Sequence, residues 1–365
     1  MTFCALSIAK GMDITMKAII KHKDGKDGWE IKDVPRKDPQ ASEVEIQIKA
    51  AGICGSELHL YHDNHYYDPG IIIGHEFSGV ISRVGSDIED WKVGDRVVSE
   101  NHITACGICE SCRTGNFAMC TKRIPLGYRM DGGWTNYICL PTKYLIKLPD
   151  TVSYEEAAMV EPCAVLTESL CVKEPIHAGE VVLIQGCGTI GLLGAIVAKA
   201  VGAGKVIVTG TEQDEKVRLP IARTLGVSRV VNVERENLKE IVDSMTDGKG
   251  VDYILEASGV SSAISSSLDL IKRLGRIVAV GEASTEKVPF DWNKAIFKAP
   301  TIKFNFGSNY RAWHLAIDLM GSGKIDIKPL ITHRLFMNDF KRGFELLDSK
   351  EGLKVIMYPF GEEEI

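Results

Sequence analysis

Two rhythms of apolar and polar positions divide the chain. Over the first 150 residues, short alternating or β-branched runs are punctuated by glycine: "MKAIIKH" from Met16, then "EVEIQIKAAGICG", "EFSGVISRVGS" and "VGDRVVSENH". Period-two alternation buries one face of a strand and wets the other, so this part predicts a compact β domain. From Gly179 buried strands alternate with helices. "EVVLIQGCG" reads as a strand, "TIGLLGAIVAKAVGA" as a helix, "KVIVTG" as a strand and "DEKVRLPIARTLG" as a helix. "RVVNV", "NLKEIVDSMTDGKG", "VDYILEASG", "AISSSLDLIKRLG" and "RIVAVGE" continue the alternation. That order predicts an α/β, doubly wound parallel sheet of Rossmann type.

After about Pro300 the pattern mixes again, and "AWHLAIDLMGSGKI" and "FKRGFELLDSK" read as helices of a segment returning to the first domain. We therefore expect a β-rich catalytic domain over 16–165 and 307–365 and a nucleotide-binding domain over 166–306. Residues 1–15 read as a disordered extension or an upstream start.

"GCGTIG" fits GxGxxG with Gly186, Gly188 and Gly191, and it follows a strand and opens a helix. The first glycine permits the tight turn, the second lets backbone approach a pyrophosphate, and the third lets helix and strand pack closely. Thr189 and Ile190 then start the helix whose N-terminus faces the anion. The second strand ends at Gly210, where an acid would grip the adenosine ribose. Thr211 can hydrogen-bond a 2′-phosphate, whereas Glu212 would repel one if it points inward, so NAD and NADP both stay open.

Bulk properties narrow the partners. A length of 365 residues suits two domains, and a formal net charge of −6 without a long Lys/Arg block argues against nucleic acid. No signal peptide or membrane span is read at the N-terminus. Ten cysteines in a chain of this size, with no export signal, read as reduced cytoplasmic thiols, and clustered ones then point to metal.

Cys106, Cys109, Cys112 and Cys120 make one such cluster. Four thiolates suit a closed tetrahedral zinc with no position left for a reactant; a redox pair or disulfides needs no fourth thiol at this spacing. A sparser set lies upstream in "AGICGSELHLYHDNHYYDPGIIIGHEFSG": Cys54, Ser56, His59, His75 and Glu76. One thiolate, one imidazole and a carboxylate or water form the mixed, open shell of a catalytic zinc acting as a Lewis acid.

With these motifs the chain resembles the zinc-dependent medium-chain dehydrogenase/reductase family, in its sorbitol (polyol) dehydrogenase-like branch. The likeness rests on "GICGSELH", "GHEFSG", the cysteine loop, "LPDTVSYEEAAMVEPCAV", "GCGTIG" and "MGSGKIDIKPLITH". It implies a GroES-like catalytic domain, a structural and a catalytic zinc, and reversible oxidation of a secondary alcohol to a ketone by hydride transfer to NAD(P). By resemblance, Cys54, His75, Glu76 and Glu161 surround the catalytic zinc, with Glu161 preferred over Cys163. Ser56 and His59 relay the proton outward, Tyr61 contacts substrate, Val280 neighbours the nicotinamide, and the protein is a homodimer or homotetramer.

The match departs where polyol dehydrogenases present an arginine and this chain has Ser308 or Asn309. Threonine dehydrogenases rank second as a reading, because "EPCAV" departs from their motif. The loop holding His62, His65, Tyr66 and Tyr67 reads either as a polar pocket wall or as a solvated loop. A zinc-free quinone reductase-like enzyme would lack Cys54, His75 and the four-cysteine set, and a non-enzymatic nucleotide-binding protein would have no use for them.

Overall fold

A computed structural model describes residues 14–283, 285 and 287–361. Most of the expected N-terminal extension, residues 1–13, lies outside the described residues. The first strand, Thr15–Lys21, begins one residue ahead of Met16.

The alternating segment forms a six-stranded parallel sheet: β1 (Val181–Gln185), β2 (Lys205–Gly210), β3 (Arg229–Asn232), β4 (Val251–Glu256), β5 (Ile271–Ala279) and β6 (Thr301–Phe304). Its spatial order is β3-β2-β1-β4-β5-β6. The order reverses beside β1, so a crevice opens at the carboxyl ends of the strands where ligands of such sheets bind. The helix Thr189–Ala200 is apolar nearly all round because it packs both on this sheet and on the helix Val160–Thr167.

Two expected elements change. "DEKVRLPIARTLG" forms a 3-10 turn, Glu212–Asp214, and only then a helix, Arg218–Thr224. Pro220 is its third residue, and proline is tolerated in a first turn because N–H groups there have no intrahelical acceptor; an earlier start would set its ring against a carbonyl. "AISSSLDLIKRLG" stops being helical at Leu270, and β5 begins at Ile271, which pairs with Val251 ahead of a register shift.

The β-rich part centres on a seven-stranded sheet whose long strand, Glu43–Gly52, pairs antiparallel with Phe77–Val84, Tyr137–Pro141 and Lys354–Tyr358. The C-terminal strands Ile331–Phe336 and Lys354–Tyr358 therefore return to the first sheet. One buried cluster runs from Val182, Ile184 and Leu192 of the parallel sheet layer to Ala50, Val98 and Ile356 of the other sheet, so the two parts share a continuous core.

Candidate metal and cofactor site

The antiparallel pairing of Ala51 with Phe77 brings the end of one strand beside the start of the next. Cys54 follows the first and His75 and Glu76 precede the second, and one ligand atom from each lies within 4.8 Å of the others. Cys54 is also the N-cap of the helix Gly55–Tyr61, and its N–H donates to Glu57 Oε2 at 2.8 Å. The other oxygen of Glu57 holds His75 Nδ1, which leaves Nε2 as the ligand nitrogen. Glu76 Oε2 pairs with the Lys354 ammonium, which also donates to the Ile53 carbonyl at 3.0 Å. Glu76 Oε1 is buried with no hydrogen-bond partner.

An orphaned buried carboxylate oxygen beside a thiol and an oriented imidazole fits a metal, and this donor set suits zinc with a position left open. Burial and the Glu76 charge push the Cys54 thiol up. Burial works against the His75 cation, but Glu57, Tyr128 and Cys54 outweigh it and hold His75 well above the usual imidazole range. The ligands thus hold protons that a metal must displace, so uptake weakens as pH falls.

The four cysteine sulfurs form the second group, also within 4.8 Å of one another. Backbone N–H groups of Ile108 and Cys109 point at Cys106 and lower it to about 6, while burial pushes Cys112 up to about 12. Cys106 N–H donates to Cys120 Sγ at 3.4 Å. Amide donors aimed at Cys106 and Cys120 stabilise thiolate there, and four sulfurs this close suit the closed tetrahedral shell of a zinc.

The glycine loop turns at Gly186, which has φ 101, and a Cβ on Gly191 would sit 2.0 Å from the Gly186 carbonyl oxygen. Gly188 caps the helix, and no atom stands within 4 Å of where its Cβ would be, so its face is open to a pyrophosphate. Thr189 Oγ1 donates to the Leu353 carbonyl at 2.7 Å, which ties this helix to the strand carrying Lys354. Ile190 is half-buried in the same turn. Val280 stands just past the end of β5, its N–H donating to Glu256 O at 2.9 Å.

Other expected site residues are placed differently. Tyr61 is a core residue: its ring stacks on Phe344 at 4.3 Å and lies 6.0 Å from Trp29, because the short helix turns that face toward the helix Phe340–Asp348. The tyrosine at the metal set is Tyr128, which lies 5.4 Å from the His75 ring and donates to Ser56 Oγ at 2.6 Å. His59 is exposed, and no side-chain hydrogen bond joins it to Ser56 among the described residues.

Glu161 is buried beside the set but outside its 4.8 Å group. It accepts from Asn101 Nδ2 at 2.7 Å, and burial lifts its carboxyl to about 7. Thr211 spends its hydroxyl on Asp214 at 2.8 Å. In the tyrosine-rich loop, His62 pairs with Asp348, Tyr67 is buried against Asp24, and only His65 reaches the site, 5.0 Å from Tyr128.

Glu57, Tyr128 and Lys354 were not expected. Glu57 had a local signal, an acid three residues after a ligating cysteine that is also a helix cap. Lys354 had none, being 278 residues from Glu76.

Residues 40–150 match the alcohol dehydrogenase GroES-like domain and residues 189–322 the zinc-binding dehydrogenase domain. Sorbitol dehydrogenase from Halalkalibacterium halodurans is 33% identical over 94% of this chain and 99% of its own. The chain belongs to the zinc-dependent medium-chain dehydrogenase family. L-threonine 3-dehydrogenase from Marinomonas sp. is 36% identical over 94% of this chain and 99% of its own. A zinc-binding dehydrogenase from Sinorhizobium meliloti, solved bound to NADP, superposes with a TM-score of 0.87 at 26% identity, covering 95% of this chain and all of its own. This dehydrogenase is thus a zinc- and NAD(P)-dependent oxidoreductase. Among its described residues no helix is long and apolar enough to cross a membrane.

Proposed function

We propose that this dehydrogenase reversibly oxidises the secondary alcohol of a polyol or sugar-like substrate to a ketone. The observation that carries the reading is the open set of Cys54, His75 and Glu76, with the hydroxyls of Ser56 and Tyr128 beside it and the Asn101 amide on neighbouring Glu161. Such groups suit a neutral, hydroxyl-rich molecule. Zinc held there supplies the positive charge that makes the substrate hydroxyl acidic. Ser56 accepts from Tyr128, which leaves its own hydrogen free to exchange in a proton transfer. His59, three residues on along the same helix face, passes the proton to solvent through a bridging hydroxyl or water. Glu161, held by Asn101, keeps a second carboxyl at the edge of the set, and Val280 borders the nicotinamide.

A β-hydroxy amino acid is the second reading, supported by the likeness to L-threonine 3-dehydrogenase. A screen of sugar alcohols, sugars, amino acids and simple alcohols with NAD and NADP in parallel separates the two. Turnover led by polyols supports the first reading, and turnover confined to threonine overturns it.

The assembly is a homo-oligomer in the cytoplasm, where thiols stay reduced. The support for self-association is the edge strand β6 with Phe304 exposed on it, flanked in sequence by the exposed Trp292 and Phe297 of the helix Trp292–Lys298 and by the exposed Tyr310. An edge strand with an apolar flank is blunted by antiparallel pairing with a second copy. Light scattering checks it: a Phe304→Lys protein is expected to shift toward monomer.

A further inference from the structure

The cofactor crevice carries a feature that goes beyond binding a dinucleotide as such. Gly210 ends β2 where the fold ordinarily places an acid for the ribose hydroxyls. The position is closed to any side chain here: a Cβ on Gly210 would lie 2.6 Å from Cys187 Sγ and 2.7 Å from Leu219 Cδ2. Cys187 belongs to the glycine loop itself, and Gly186 N–H donates to Thr209 Oγ1 of β2 at 3.2 Å, so this strand end stands directly beside the loop.

The next acid along the chain is Glu212, whose side chain is 50% exposed at the same edge of the sheet. Its carboxylate is held by two neighbours. Asn232, at the end of β3, donates to Oε2 at 3.0 Å, and the Arg235 guanidinium pairs with Oε1. Thr211, the other group able to greet a 2′-phosphate, is consumed by Asp214 through both its N–H, at 2.9 Å, and its hydroxyl, at 2.8 Å.

We infer that Glu212, displaced from the usual strand-end position and clamped by Arg235, makes this dehydrogenase select NAD over NADP. A ribose that carries free hydroxyls can donate to the Glu212 carboxylate. A 2′-phosphate meets that carboxylate's charge, and the Arg235 guanidinium beside it is already engaged. The same pair therefore contains a latent phosphate site: with Glu212 made neutral, Arg235 is released to bind a 2′-phosphate through parallel N–H donors.

The inference rests on the dehydrogenase reading above, and its test needs no substrate. Binding of NADH and NADPH to the full chain, followed by quenching of protein fluorescence, is measured for the wild type, Glu212→Gln and Glu212→Gln/Arg235→Ala. The wild type is expected to bind NADH at least about tenfold more tightly than NADPH. Glu212→Gln should narrow that ratio about tenfold or more, chiefly by tightening NADPH, and the added Arg235→Ala change should remove the gain. A wild type that binds NADPH as tightly as NADH, or a ratio unmoved by Glu212→Gln, would overturn the inference and leave the dehydrogenase reading standing. Binding of neither nucleotide would overturn both.

Discussion

Lys354 is the perturbation that probes the candidate site most sharply without replacing a ligand. Its side chain and that of Glu76 are each 1% exposed, and they pair directly. Burial acts against the ammonium, but the charge of Glu76 and its hydrogen bond outweigh it and hold Lys354 above its ordinary value. Lys354→Met keeps much of the stem volume and removes the charge. What remains is a buried carboxylate whose Oε1 has no hydrogen-bond partner and whose Oε2 has just lost one.

Breaking one side of such a pair costs about 3–5 kcal/mol, because the surviving charge keeps its desolvation penalty without its counter-ion. For a chain of this size that is a fall in Tm of about 4–7 °C. Two controls fix the cause. The double variant Glu76→Gln/Lys354→Met removes both charges, so it should recover most of the loss in a double-mutant cycle. Zinc bound by Cys54, His75 and Glu76 gives the carboxylate a second counter-ion, so the deficit of Lys354→Met should be smaller in zinc-loaded than in chelated protein. Calorimetry or far-UV melts of wild type, Lys354→Met, Glu76→Gln and the double variant, with and without chelator, measure this. A chelated Lys354→Met protein melting within about 1 °C of wild type, or a double variant no better than the single one, would refute the reasoning.

Three further outcomes follow from the same geometry. Glu57→Gln keeps a hydrogen-bonding group at His75 but loses its charge, and competition with a chromophoric chelator should show about 10–100-fold weaker zinc at the open set. Tyr61→Phe should leave kcat and KM unchanged, because the ring packs on Phe344 within the core; a substantial rise in KM would restore Tyr61 as a substrate contact. At Glu45, burial pushes the carboxyl up, but Arg36, Arg83 and Ser82 outweigh it and hold the group at about 2 against an ordinary 4.5. The folded value is the lower one, so its stabilisation is full above about pH 4.5 and is lost as pH falls towards 2. The Tm gap between Arg83→Met and wild type in chelated protein should therefore close over that window, and a gap independent of pH would contradict the assignment.

Much of the fold was legible because periodicity is local. The apolar runs from Val181 to Ala279 correspond to successive strands of one sheet, and "GCGTIG" sits at the turn its glycines require. The break before Arg218 was also written locally, in Pro220, since a proline three residues into a helix marks where that helix must start. The ligands Cys54, His75 and Glu76 were legible for another reason: they flank strands that had to pair. Lys354 and Asn101 were not, because nothing local to either says which buried carboxylate it will meet. The facing of Tyr61 was decided by Phe344, far along the chain, and nothing within a seven-residue helix says which of its faces that ring will meet. Glu161 shows the same limit at short range, since its helix brings it beside the set while Asn101 decides where its carboxylate points.

The central claim is that the open set, and not the four-cysteine loop, is where the alcohol reacts. Cys54→Ala tests it most directly, with zinc content, NADH binding and turnover of the preferred alcohol measured on one preparation. The two ligand groups predict two zinc ions in the wild type and one in the variant, with NADH still bound and turnover abolished. A Cys54→Ala protein that turns over at the wild-type rate would contradict the account.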